Sequence, residues 1–223
     1  MPTAPSSRPV LLVLGAGPGT GAAVARRFGR EGYAVGLVAR DAAGLSRRAA
    51  GLQAEGVDVR WAAADVADPP ALEQAVRTLG AGGIDVLHFN PSAYREKGPL
   101  ELTAEELLTD VHVGAAALLT AVRAARPWLR EHARVVATGS IAADRPSARA
   151  PSLAVQKAAL RTLVAALDTV LAPSGVRAVL VQVNDLIREG GTCPPGRVAE
   201  AVLEAVRRPE ESWTPRVDVG GVP

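Results

Sequence analysis

The sequence predicts an α/β fold, built as a single doubly wound parallel sheet with helices on both faces. Short apolar runs of buried-strand length alternate with longer helical segments along nearly the whole chain, which is typical of strand–helix–strand units. A glycine-rich turn joins the first apolar run to the first helical segment. The chain has 223 residues, of which 48% are hydrophobic, and this is enough for one globular core. We therefore predict a disordered tail over residues 1–9 and one domain over residues 10–223.

The apolar runs are predicted to be strands, and the last of them is a candidate edge strand because Pro215 stands at its start. In chain order the predicted strands are Val10–Leu14, Tyr33–Ala39, Val57–Ala63, Ile84–Asn90, Arg134–Thr138, Val176–Val183 and Arg216–Val219.

The segments between these runs are predicted to be helices. The pattern Thr103-x-x-Glu106 is a capping box, and it predicts the start of a long helix that runs, with a possible break, to about Arg130. The other predicted helices are an alanine-rich one ending near Phe28, then Ala42–Glu55, Ala71–Leu79, Ser152–Leu171 and Arg197–Arg207. A sheet of this kind binds ligands beyond the carboxyl ends of its strands.

The turn after the first strand contains Gly15, Gly17, Gly19 and Gly21, with Thr20 before the last glycine. Such a turn exposes backbone N–H groups at the positive end of a helix dipole, which favours a phosphate. Glycine is needed there because the chain bends sharply and a Cβ would hold a pyrophosphate away. We expect this turn to bind the pyrophosphate of a dinucleotide.

Composition excludes several other classes of function. The 25 basic residues are scattered among 23 acidic ones, so no basic block indicates nucleic acid. No apolar run in the sequence reaches the roughly 18 residues of a membrane span. Three dispersed histidines and one cysteine give no metal-ligand spacing. The single Cys193 excludes an internal disulfide and suits a reducing cytoplasm, where we expect the protein to be.

From Val10 to about Val219 the chain resembles the short-chain dehydrogenases/reductases. The resemblance rests on Gly15-x-x-x-Gly19-x-Gly21, on Asp65-Val66, on Asn90, and on the spacing of Ser140 and Lys157. It implies a Rossmann-like fold and a nicotinamide cofactor. The residues then expected to contact the cofactor are Gly15, Gly17, Gly19, Thr20, Gly21, Arg40, Asp65, Val66, Asn90, Lys157 and Thr192.

The end of the second strand indicates which cofactor. An acidic side chain there would accept hydrogen bonds from both ribose hydroxyls and favour NAD(H). Ala39 stands in that place and Arg40 follows it. A guanidinium pairs with a phosphate through charge-assisted hydrogen bonds. We therefore predict NADP(H) rather than NAD(H), although the adjacent Asp41 is a candidate to neutralise Arg40.

The sequence departs from the family pattern at the position of the catalytic tyrosine. Four residues before Lys157 stands Leu153, and positions i and i+4 share a helix face. Leucine donates no proton, and general acid–base catalysis is worth about 10²–10⁴ in rate. The family's asparagine in the long helix aligns with His112. After the sixth strand, Asn184-Asp185 replaces the usual Pro-Gly.

Three hypotheses follow. In the first, the protein is a reductase in which Tyr94 or His112 donates the proton. In the second, the site catalyses a reaction without net hydride transfer, such as cyclisation, isomerisation or elimination. Leu153 would then be an apolar wall, and Ser140, His112 and Lys157 would orient the substrate. In the third, the protein is a non-catalytic NADP(H) binder or a partner subunit.

We expect a small organic substrate, in a pocket that includes Leu153, Ser92 and Leu186. Family members commonly pair through their long helices. Here Ala115–Ala121 and Ala158–Ala166 offer small apolar faces for that, so a homodimer or homotetramer is predicted.

Overall fold

The computed structural model describes residues 8–221, and of the predicted tail only Arg8 and Pro9 fall within this range. The described chain forms one seven-stranded sheet in the order β3-β2-β1-β4-β5-β6-β7, and every strand pair is parallel. This confirms the doubly wound α/β fold. The strands are β1 (Val10–Leu14), β2 (Ala34–Ala39), β3 (Val59–Ala63), β4 (Ile84–Phe89), β5 (Leu129–Thr138), β6 (Arg177–Val183) and β7 (Arg216–Val219).

The helices cover both faces of the sheet and bury two apolar layers. One layer lies between the sheet and the group α3, α5 and α6, and the other lies between the sheet and the group α1, α2 and α7. The helices are α1 (Thr20–Arg30), α2 (Ala42–Ala54), α3 (Pro69–Gly80), α4 (Ala104–Val111), α5 (Ala117–Ala125), α6 (Pro151–Leu171) and α7 (Pro195–Arg207).

The long helix predicted from Thr103 differs from expectation at its far end. Its possible break is a turn of π-helix over His112–Ala116, between α4 and α5. The helical stretch ends two residues before the predicted Arg130, since α5 stops at Ala125 and a 3₁₀ turn over Arg126–Trp128 follows. Pro127 in that turn has no N–H to donate to the preceding helical turn. The chain is extended from Leu129, which pairs with β4, so β5 begins earlier than predicted.

The continuous helical stretch Ala104–Trp128 is long and apolar enough to cross a membrane, judged by length and composition only. Its inner side chains, such as Leu118 and Ala121, are fully buried in the layer beside the sheet. It packs against α3, α6 and β4. This is the packing of a core helix in a globular domain.

Asp168 of α6 binds the C-terminal segment that contains Trp213. Its carboxylate accepts hydrogen bonds from the Arg177 guanidinium at 2.7 and 2.9 Å and from the Ala178 N–H at 2.8 Å. It also accepts one from the Trp213 indole N–H at 3.1 Å. Arg134 and Arg177 stack on the Trp213 ring, with guanidinium carbons 4.9 and 4.8 Å from its centroid. The carboxylate therefore joins α6, β6 and the segment before β7.

Replacing Asp168 with asparagine should lower the free energy of unfolding by about 3 kcal/mol, because Arg177 then keeps only the half-exposed Glu210 as its anion and the buried Ala178 N–H loses its charged acceptor. Denaturant titration followed by circular dichroism measures this. The control is Glu210→Gln. Glu210 also pairs with Arg134 and Arg177, but its side chain is 48% exposed, so we expect a loss under about 1 kcal/mol. Equal losses in the two variants would contradict the account.

Candidate cofactor and active site

Two glycines of the turn after β1 are required by close packing. Gly15 has a φ of +79°, and a Cβ on it would lie 2.9 Å from the backbone nitrogen of Pro91. A Cβ on Gly21 would lie 2.5 Å from the carbonyl oxygen of Gly15. At Gly17 and Gly19, by contrast, a Cβ would meet no described atom within 4 Å. The first pair therefore shapes the turn, and the second pair leaves its outer side open to a ligand.

Helix α1 starts directly behind this open side. Gly19 is its N-cap and supplies no side-chain cap to the first turn. The N–H groups of an uncapped first turn attract an anion. Thr20, the first helical residue, is buried below the turn, with 8% of its surface exposed. The turn thus has an uncapped helix start on its open side, the feature on which the predicted pyrophosphate contact depends.

A first cleft of about 260 Å³ extends from the turn over the ends of β2 and β3. The Arg40 side chain at its edge is 79% exposed, and its guanidinium lies 3.9 Å from the Asp65 carboxylate. Asp41 is occupied elsewhere, since its carboxylate caps α2 by accepting the Gly44 N–H at 3.0 Å. The residues that line this cleft are Gly15, Gly17, Ala39, Arg40, Ala64, Asp65, Val66, Asn90, Pro91, Ser92 and Val113.

A second cleft of about 260 Å³ lies over the ends of β5 and β6. It shares Asn90 and Ser92 with the first cleft, so the two adjoin along the carboxyl edge of the sheet. Its lining residues are Asn90, Ser92, Thr138, Gly139, Ser140, Leu153, Lys157, Val183, Asp185, Leu186 and Ile187.

Lys157 reaches this second cleft from α6 and is nearly buried, with 4% of its surface exposed. Its ammonium donates a hydrogen bond of 2.9 Å to the carbonyl oxygen of Thr138. Burial lowers the pKa of Lys157 to about 8, because the charged form loses its hydration.

Ser140 follows β5 and faces the same cleft. Its hydroxyl oxygen accepts the Ala142 N–H at 3.2 Å and so caps the 3₁₀ turn Ile141–Ala143. Its carbonyl accepts a hydrogen bond of 2.7 Å from the buried Gln182 amide. These contacts hold both the hydroxyl and the carbonyl of Ser140 in place at the cleft.

The sequence profile of the short chain dehydrogenase family matches residues 9–185. The chain belongs to this family. A dehydrogenase/reductase SDR family member 4 from Pongo abelii is 33% identical over 178 residues, which cover 78% of this chain and 64% of that protein. A 1-deoxy-11-beta-hydroxypentalenate dehydrogenase from Streptomyces arenae is 31% identical over 222 residues, covering 95% of this chain and 76% of that one.

Solved structures of short-chain dehydrogenases share the whole fold. A short chain dehydrogenase from Burkholderia cenocepacia in complex with NADP has a TM-score of 0.86 at 27% identity, covering 96% of both chains. A metagenomic short-chain oxidoreductase in complex with NADP has a TM-score of 0.83 at 25% identity, covering 96% of this chain and 97% of that one. Together these similarities support a general oxidoreductase role.

Gly19, Thr20 and Gly21, predicted to contact the cofactor, do not line either cleft in the described structure, although they form the end of the glycine turn and the start of α1. Three further residues proposed for the short-chain dehydrogenase site also line neither cleft. Tyr94, a candidate proton donor in the first hypothesis, is 66% exposed. The Thr192 hydroxyl donates to the Asp185 carboxylate instead of facing the cleft. His112 begins the π-helical turn, and its buried Nε2 has no hydrogen-bond partner among residues 8–221. Their functional roles stay predictions without support from this geometry.

Sequence reasoning also missed residues that the fold brings to the site. Asp185 and Ile187 line the second cleft, and the replacement of the usual Pro-Gly was the one signal for them. Thr138 supplies the carbonyl that holds Lys157, and a strand residue gives no sequence signal for such a role. Within the described range no group of three His, Cys, Asp or Glu side chains is placed to hold a metal ion.

His88 of β4 lies behind Lys157 and is fully buried. Its Nε2 is 2.9 Å from the Thr138 hydroxyl. Burial, with a smaller effect of the Lys157 charge, lowers the pKa of His88 to about 3. His88 is therefore neutral at physiological pH, and Lys157 is the charged partner of this pair.

The buried His88 should make the fold acid-sensitive. As the pH falls below 6.5, the unfolded chain binds a proton that the folded chain refuses until about pH 3. The destabilising effect of this group is therefore absent above pH 6.5, and below pH 6.5 it lowers the free energy of unfolding by about 1.4 kcal/mol for each pH unit. Between pH 6.5 and pH 5, the free energy of unfolding of His88→Asn should therefore fall by about 2 kcal/mol less than that of the wild type.

Urea titrations across this pH range measure the slope. His132→Asn is the matched control, because His132 is 73% exposed and has a φ of +65°, which asparagine tolerates. The control should keep the wild-type slope. A wild-type slope in His88→Asn would show that His88 accepts a proton in the folded state.

Proposed function

We propose that this chain binds NADP(H) and transfers a hydride between it and a carbonyl or related group of a small organic substrate. The observation that carries this proposal is the junction of the two clefts. Through Asn90 and Ser92 the glycine turn is continuous with Ser140 and Lys157. A dinucleotide laid along this edge would place its phosphates at the turn and its nicotinamide half beside Ser140 and Lys157.

The choice of NADP(H) over NAD(H) rests on Arg40. Its guanidinium stands at the edge of the first cleft, beyond the end of β2, where a 2′-phosphate would lie. Its distance of 3.9 Å to Asp65 leaves the guanidinium free to form direct hydrogen bonds elsewhere. Asp41 is engaged in capping α2 and does not compete for it. The short-chain dehydrogenases with NADP bound that share this fold support the same choice.

The proton donor in this proposal is a group other than the usual tyrosine. When bound, NADPH supplies the hydride. Ser140 would hydrogen-bond the substrate carbonyl, and Lys157 would give up the proton, directly or through the serine hydroxyl. Both side chains line the second cleft, whereas Tyr94 and His112 do not. A lysine whose pKa is about 8 is a suitable acid near neutral pH, because general acids work best close to the ambient pH.

A second candidate function is a reaction without net hydride transfer. The specific observation in its favour is the apolar wall of the second cleft, formed by Leu153, Val183, Leu186 and Ile187. Such a wall would hold a hydrocarbon skeleton in a fixed orientation, which cyclisation or isomerisation requires. A third candidate, cofactor binding without catalysis, uses the same clefts and predicts no turnover.

We also propose that copies of the chain associate as a homodimer or homotetramer. Several large apolar side chains on α4, α5 and α6 are exposed in the single chain. They are Leu108 at 67%, Leu119 at 39%, Val155 at 44% and Val170 at 74%. Covering such groups is a driving force for association. The predicted cytoplasmic location stays a prediction.

Calorimetric titration with NADPH and NADH tests the cofactor. We expect NADPH to bind at least tenfold more tightly. Arg40→Ala should weaken the binding of NADPH by roughly 10–100-fold, which is the contribution of a charge-assisted hydrogen bond. The affinity for NADH should stay within twofold of the wild-type value. Equal losses for both cofactors would refute the phosphate contact. If neither cofactor bound below millimolar concentration, the proposed function would fail.

The variant Leu153→Tyr tests whether the absence of a tyrosine proton donor at position 153 limits carbonyl reduction. With NADPH and a panel of aromatic and aliphatic ketones, it should raise the reduction rate at least tenfold, because a phenol beside Lys157 restores a strong proton donor. Leu153→Phe adds the same ring without the hydroxyl and is the matched control, for which we expect no gain. If both variants instead abolished turnover of a native substrate without NADPH oxidation, the second candidate function would replace the first.

A further inference from the structure

The wall shared by the two clefts is an irregular segment. Residues 90–103 follow β4 without forming a helix or strand, yet Asn90 and Ser92 face both clefts. The first residue of this segment is held by the turn, since the Asn90 amide donates to the Gly15 carbonyl at 3.0 Å. The next part needs another support if a cofactor is to meet a fixed surface.

That support comes from Gln156, which is fully buried. Its side-chain oxygen accepts the Ala93 N–H at 3.0 Å, and its side-chain nitrogen donates to the Ala93 carbonyl at 2.9 Å. The same oxygen accepts the Ser92 hydroxyl at 3.4 Å. The glutamine amide therefore pairs with both backbone groups of Ala93, as a neighbouring strand would.

Gly114, in the π-helical turn between α4 and α5, makes room for this side chain. A Cβ on Gly114 would lie 1.9 Å from the Gln156 side-chain oxygen and 2.6 Å from its amide carbon. Any larger residue would thus expel the glutamine from its place. We call this arrangement the clamp. It consists of three residues from separate elements, namely Gln156 on α6, Gly114 on the π-turn and Ala93 after β4.

We infer that Gln156 is a positioning residue for the cofactor, and that it acts through the backbone of Ala93 to hold the neighbouring Ser92 at the junction of the two clefts. Gln156 precedes Lys157 on the same helical turn, so one turn of α6 supplies both the cation in the cleft and the clamp on its wall. The inference rests on the proposed function. It assigns no contact between Gln156 and the ligand.

The experiment compares two ligands with Gln156→Ala. NADPH spans both clefts, whereas adenosine 2′,5′-bisphosphate needs only the region of Gly17, Arg40 and Asp65 in the first. We expect the dissociation constant for NADPH to rise roughly tenfold, as for the loss of one or two hydrogen bonds that order a loop. The constant for the bisphosphate should change less than twofold. The shift of NADPH fluorescence on binding should shrink in parallel.

Gly114→Ala supplies an independent test of the clamp. Alone, it should weaken NADPH as Gln156→Ala does, because its methyl group displaces the glutamine. Added to Gln156→Ala, it should have no further effect, since the space is then vacant. Gln156→Met fills the same volume without an amide and serves if the alanine variant does not fold. Thermal unfolding confirms that each variant is folded at the binding temperature.

The outcomes are distinguishable. If wild-type protein binds neither ligand, the proposed function fails and the inference falls with it. Suppose instead that the wild type binds NADPH and that Gln156→Ala and Gln156→Met are folded. If their dissociation constants for NADPH are then within twofold of the wild-type value, the inference alone is overturned. Equal weakening of both ligands would also overturn it, because it would indicate a general structural role. Additive effects of Gly114→Ala and Gln156→Ala would overturn the contact between the two residues.

Discussion

The site depends on the close approach of the chain after β1 to the chain after β4. These strands are neighbours at the point where the strand order reverses, so their following segments turn to opposite faces and leave a crevice between them. Gly15 permits the approach because a Cβ would collide with Pro91. Asn90 fastens it by donating to the Gly15 carbonyl. Both clefts adjoin this contact.

The electrostatics of the second cleft are organised around one buried cation. Thr138 holds Lys157 through its carbonyl and pairs with His88 through its hydroxyl. Burial disfavours charge on both titratable groups, and the lysine, with the higher intrinsic pKa, is the one that keeps it. Leu153 lines the cleft with Lys157 and adds only hydrocarbon. The proposed proton transfer to a substrate with an apolar body relies on this cation beside an apolar wall.

The parts of the fold that local pattern controls were predictable. Six of the seven strands, the glycine turn and the capping box at Thr103 lie within about two residues of their expected places, because apolar runs, backbone flexibility and caps act over a few residues. The start of β5 was mistaken, since the pairing of Leu129 with β4 extends this strand five residues before the predicted Arg134, directly after the 3₁₀ turn that contains Pro127. The exposure of Tyr94 depends on the path of an irregular segment, for which the sequence has no periodic signal.

The sequence by itself determined the parallel sheet and the open glycine turn, because each depends on the identity of residues at short spacing. The tertiary structure alone decided which side chains meet at the site. Gln156 reaches Ala93 across 63 residues, and His88 reaches Thr138 across 50. Such contacts arise when packed elements bring distant segments together, and no local pattern in a single sequence encodes that distance.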